Sequence, residues 1–99
     1  MPEPLEGKYH ITMVLPMWTV ENTLTLHPGP EGQLDGTLDT GTETVSFTGG
    51  RWNKNYFQID LAVGPGKLQL TGVVNGDELT GVVVIDRTPD RLSGTRAPN

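Results

Sequence analysis

Apolar and polar residues alternate along most of this 99-residue chain. Leu24 and Leu26 stand among Thr23, Thr25 and His27. Phe57, Ile59 and Leu61 are interleaved with Gln58 and Asp60, and Leu68 and Leu70 with Lys67, Gln69 and Thr71. A period of two belongs to a strand with one buried and one wet face. Turn formers interrupt the alternation at Pro16-Met17, Pro28-Gly29-Pro30-Glu31-Gly32, Thr40-Gly41, Gly49-Gly50, Gly64-Pro65-Gly66, Asn75-Gly76 and Thr88-Pro89-Asp90. Regular spacing of roughly 8–12 residues between such signals marks a β-sandwich or barrel. The pattern predicts strands near 7–15, 18–27, 32–39, 42–48, 55–63, 66–74, 77–86 and 91–96, and no segment carries a helical period.

A Leu-x-Gly unit recurs at Leu34-Asp35-Gly36, Leu70-Thr71-Gly72, Leu79-Thr80-Gly81 and Leu92-Ser93-Gly94. Asn-Gly is a preferred two-residue hairpin turn, because both positions take positive φ. With Asn75-Gly76 as the turn, Val74 pairs with Asp77, Gly72 with Leu79 and Leu70 with Gly81, so each inward Leu faces an inward Gly. Large against small lets a strongly curved sheet fill its inside. A flat sheet would leave its apolar face wet and its edges open, and closure removes both problems. The expected fold is therefore all-β: a single small antiparallel up-and-down β-barrel of about eight short strands. It forms one domain over 1–99, with flexible ends at 1–6 and 97–99. Closure brings the last strand beside the first, and inward parity puts Tyr9 and Arg96 together as a cation–π latch.

Composition agrees with many chain reversals, with 13 Gly and 8 Pro against a hydrophobic fraction of 34%. Absence of cysteine removes disulfides, a thiol nucleophile and Cys-based metal sites. A net charge of −5 with seven scattered basic residues argues against a nucleic-acid partner. No run approaches the roughly 20 apolar residues of a membrane span, so no membrane partner is expected. Met1-Pro2-Glu3-Pro4 lacks the basic and apolar regions of a signal peptide, which gives a cytoplasmic expectation. Gly64-Pro65-Gly66 has no following helix or Lys-Ser/Thr, so it is a turn rather than a phosphate cradle, and no cofactor is expected.

Gly7-Lys8-Tyr9 at the start of the first strand, with Arg96 in the last, resembles the Gly-x-Trp and distant Arg that close calycin (lipocalin/streptavidin-type) barrels, with Tyr9 in place of the Trp. The resemblance implies an eight-stranded barrel holding a small ligand. The chain is also similar to the small β domains appended to some bacterial hydrolases, whose L-x-G strands end in G-T-R, as in Leu92-Ser93-Gly94-Thr95-Arg96.

Inward parity collects Tyr9, Ile11, Met13, Leu15, Val20, Leu24, Leu26, Leu34, Leu38, Val45, Phe47, Phe57, Ile59, Leu61, Val63, Leu68, Leu70, Val74, Leu79, Val83, Ile85 and Leu92. Gly36, Gly72, Gly81 and Gly94 share that side. Two readings follow: a core filled with side chains, or an apolar pocket in the room that the glycines leave. Asn22 and Glu43 are polar and inward in phase. Asn22 serves either to orient a ligand or to make an internal hydrogen bond. Glu43, beside the Thr40-Gly41-Thr42 turn, is expected at a wet rim. Trp18 follows Pro16-Met17 at one rim, while Trp52 and Tyr56 flank Asn53-Lys54-Asn55 at the other, near Pro28 and Pro30. Each Trp is a candidate ligand gate, subunit contact or lid.

The ligand-binding set is thus Tyr9, Trp18, Asn22, Glu43, Phe47, Trp52, Phe57 and Arg96, with no metal ligand and no assigned catalytic residue. His10 and His27 point outward at no metal-ligand spacing, and Ser46 and Ser93 have no triad partners nearby in sequence. Val73, Val82 and Val84 form an outward stripe suited to a homodimer. The leading expectation is a barrel that binds a small apolar molecule, with Asn22 as polar anchor and Trp18 or Trp52 as gate. The alternatives are a cyclase- or isomerase-like enzyme acting by orientation in the same cavity, and a packed structural or dimerisation module.

Overall fold

The computed structural model describes residues 5–63 and 66–97, apart from the Val63 side chain. The expected turn at Gly64-Pro65, the inward Val63 side chain and the ends at 1–4 and 98–99 lie outside these residues. Eight strands form one closed antiparallel barrel in sequence order: β1 (Gly7–Val14), β2 (Thr19–Pro28), β3 (Gln33–Asp39), β4 (Thr44–Asn53), β5 (Tyr56–Val63), β6 (Gly66–Asn75), β7 (Glu78–Ile85) and β8 (Thr88–Arg96). β8 returns to β1 from Tyr9↔Arg96 to Val14↔Arg91, so no strand is left as a free sheet edge. No helix among the described residues is long and apolar enough to cross a membrane. The up-and-down order puts the β2–β3, β4–β5 and β6–β7 turns at the end where the chain enters the barrel, and the other turns at the opposite end.

Three local expectations are corrected. The β6–β7 turn is Gly76-Asp77 rather than Asn75-Gly76, so Gly72 lies opposite Gly81, Leu70 opposite Val83 and Val74 opposite Leu79. Neighbouring elements fix this register. Asn55 Nδ2 holds Asn75 Oδ1 at 3.2 Å, drawing Asn75 out of the turn. On the other side, the Asp77 carbonyl accepts from Arg96 N at 2.8 Å. Gly76, at φ 64°, takes the first central position, which needs positive φ. The β7–β8 turn is Asp86-Arg87, both at positive φ (50° and 71°), which returns Thr88, Pro89 and Asp90 to β8. Gly49-Gly50 is no turn, because β4 runs on to Asn53 through a β-bulge. Thr48 and Gly49 together stand against Asp35, between Leu34↔Gly50 and Gly36↔Phe47. The extra residue turns Gly50 and Trp52 to the inner side, where Trp52 packs on the core.

The interior is filled by seventeen buried apolar side chains, sixteen of them from the inward set. The seventeenth is Leu5, ahead of β1, fully buried although its position suggested a flexible end. Large does face small, through other partners: Phe47 and Leu26 meet Gly36, Phe57 meets Gly72, and Leu92 meets Gly81. The glycines are points of closest approach rather than room for a ligand. A Cβ on Gly36 would lie 2.0 Å from the Thr25 carbonyl oxygen and 2.7 Å from the Phe47 ring. On Gly81 it would lie 2.0 Å from the Thr71 carbonyl oxygen. Here backbone packs on backbone and ring on backbone, as tight curvature in a narrow barrel demands.

Candidate functional site

The two ends of the barrel are built differently. At the β2–β3 end, Tyr9 and Arg96 form a latch across the closing seam. The Arg96 guanidinium lies 4.9 Å from the Tyr9 ring centroid, a cation–π contact of about 0.5–2 kcal/mol. Arg96 also donates to the Glu6 carbonyl, and its Nε stands 3.4 Å from Asp77 Oδ1. Gly7, at φ 140°, is where this latch excludes a side chain, since a Cβ there would sit 2.7 Å from Arg96 Nη1. Beneath, Tyr9 OH donates to the Leu5 carbonyl at 2.9 Å, drawing the Leu5 segment across the opening. Burial pushes the Tyr9 phenol above its ordinary pKa of 10.0, against the opposing pull of the Arg96 charge. Trp52 adds to the seal: its Nε1 donates to the Gly29 carbonyl at 3.0 Å, beside Pro28 and Pro30 as the alternation implied. Leu5, Tyr9, Leu26, Leu34, Phe57 and Leu79 are all inaccessible to water at this end.

At the other end the last inward apolar residues of their strands or adjoining turn, Leu15, Val20, Val45, Leu68 and Ile85, are each only half-buried. They ring a mouth whose floor is Met13, Leu38, Leu61, Val83 and Leu92. The β4–β5 ladder stops at Arg51↔Gln58 near the sealed end. Beyond it the bulge in β4 interrupts the register, while β4 and β5 remain neighbours in the closed barrel. A surface depression of about 640 Å³ lies on the outer face of β5, β6 and β7 near this end, lined by Asp60, Ala62, Lys67, Gln69, Val84 and Arg87 among others.

Asn22 is the one buried polar side chain among the described residues, 8% exposed and on the inner face opposite Ile11. Its Nδ2 reaches only the Met13 sulfur at 3.9 Å, and its Oδ1 has no hydrogen-bond partner. A buried acceptor left in this state costs about 1–3 kcal/mol, which a hydroxyl or N–H arriving from the mouth would relieve.

The eight residues singled out from the sequence divide between these ends. Tyr9, Arg96 and Trp52 belong to the sealed end, and the Phe47 and Phe57 rings are spent on covering Gly36 and Gly72. Trp18, Asn22 and Glu43 belong to the mouth end. Trp18 is 64% exposed, standing out from the β1–β2 loop beside Met17 rather than folded over the opening as a lid. Glu43 is exposed, and its backbone closes the β3–β4 loop through Thr40 N donating to Glu43 O at 2.9 Å. On the outer face Tyr56 and Val82 are exposed, while Val73 and Val84 are half-buried.

One mouth residue was missed. Asp90, expected in a turn, lies on the inner face of β8 opposite the buried Val83, half-buried and without an ion pair or hydrogen bond on its carboxylate. Counting back by two from Leu92, as Arg96 was found by counting forward, reaches it.

Fold and side-chain placement together define an up-and-down eight-stranded barrel, closed at one end by the latch, Leu5 and Trp52, with a half-buried aliphatic ring at the other end and a buried amide one layer inside it. The chain matches no protein-family model and no curated protein sequence.

Proposed function

We propose that the protein binds a small apolar molecule at the open end of the barrel, with Asn22 as its polar contact and Trp18 at its lip. The observation that carries this reading is the unpartnered Asn22 Oδ1, buried beneath a ring of half-exposed aliphatic side chains. An apolar surface with a few placed polar groups is the ordinary composition of a ligand site. Because the glycines leave no internal space, the ligand rests in the mouth and reaches down to Asn22 rather than being engulfed. Trp18 is the gate in this reading, since Trp52 is tied to Gly29 at the other end. The Gly7, Tyr9 and Arg96 closure supports the likeness to calycin barrels, which implies a small ligand. The neutral dye Nile red tests the proposal. One dye per chain should bind, with a blue-shifted emission and quenching of tryptophan, and Val45→Glu at the mouth should abolish it. Failure of the wild-type protein to bind the dye would refute the reading.

A further inference from the structure

The charged groups at the mouth are unevenly sorted. Both ionisable residues whose phase is inward there, Glu43 just ahead of β4 and Asp90 on β8, are carboxylates. The nearby cations lie elsewhere: Lys67 and Arg91 have outward phase, and Arg87 occupies the exposed β7–β8 turn. In an eight-stranded ring β4 and β8 stand on opposite sides, so Glu43, exposed in the β3–β4 loop, and Asp90 lie at opposite edges of this end, with Asn22 on β2 deeper between the two strands. Asp90 is half-buried beside Val83 and Leu92, with no cation on it among the described residues. A carboxylate half removed from water and left unpaired favours an incoming cation. The deeper group adds a separate requirement, because the free atom of Asn22 is an acceptor, and it asks for a donor.

We infer that the open end selects a protonated amine carried on a small apolar body. This rests on the ligand site proposed above and names the chemistry of its occupant. The apolar body lies against Leu15, Val45, Leu68 and Ile85. The ammonium group is held at the rim by Asp90, and the exposed Glu43 carboxylate adds a like-signed field from the opposite edge. A hydroxyl or second N–H on the body meets Asn22. A carboxylate on the same body meets two like charges and is rejected, and a neutral alcohol gains nothing from them.

The experiment displaces bound Nile red with a matched series, n-hexylamine, 1-hexanol and hexanoate, at neutral pH and fixed ionic strength. Hexylamine should displace the dye at about one tenth of the concentration that hexanol needs, the ratio expected of one hydrogen bond to a charged group. Hexanoate should be the weakest. In the double variant D90N/E43Q the amine should lose its advantage over the alcohol. Nile red binding with an amine no better than the alcohol overturns the inference while leaving the apolar site standing. So does an amine preference that survives the double variant. No dye binding at all removes the site and this inference with it.

Discussion

Asn22 is the residue whose chemistry is least explained by folding. A buried amide oxygen without a partner weakens a protein, and an aliphatic group of similar size in its place removes the penalty. Asn22→Leu should therefore raise the urea midpoint by an amount corresponding to about 1 kcal/mol, at the cost of ligand affinity. A drop in stability would mean that the amide is a structural hydrogen-bonding group after all. Tyr9 makes the opposite case, a polar group whose contacts with Leu5 and Arg96 serve closure. Its phenol, raised above pKa 10.0 by burial, keeps its proton in the folded protein where the unfolded chain has lost it. Its contribution is thus complete below that value and declines as pH rises through the folded-state pKa. Between about pH 9 and about pH 11 the wild-type protein should lose more stability than Tyr9→Phe, which has no proton to surrender. Equal losses in the two proteins would show that Tyr9 takes no part in the alkaline decline.

Among the elements, the inward glycines set how closely strands can approach. A methyl group on Gly81 meets the Thr71 carbonyl oxygen, which belongs to a paired strand and cannot swing aside. Gly81→Ala should cost about 1–3 kcal/mol or more in chemical denaturation, the range for overpacking a tight interior. An unchanged midpoint would mean that β6 and β7 are not so close. Legibility in the sequence follows the same division. Alternation located all eight strands, because each presents one face to the core, and parity counted from Leu92 and Ile11 brought Arg96 onto Tyr9. What local pattern could not supply was register. Asn75-Gly76 is a good turn in isolation, but Asn55 in the β4–β5 turn and Arg96 on β8, both distant in sequence, draw the turn one residue onward. Gly49-Gly50 reads equally as a turn or a bulge until β3 decides. Of the proposed site, Asn22, Glu43 and Trp18 could be read from the sequence. It was illegible in Asp90, where a proline two residues into a strand imitated a loop, and in the glycines, whose lack of side chain suggested space that neighbouring backbone already fills.

For the molecule as a whole, the closure and the proposed binding site occupy opposite ends. The latch, Leu5 and Trp52 shut one opening, which leaves the other free to stay apolar and half-wet without loosening the barrel. The most direct test of this polarity is an amide-resolved NMR titration of the isotopically labelled protein with Nile red. The account predicts shifts concentrated at Leu15, Val20, Asn22, Val45, Leu68 and Ile85, with Tyr9, Leu34, Phe57 and Leu79 unmoved. Shifts centred on the latch and Trp52, or spread evenly through the interior, would contradict it.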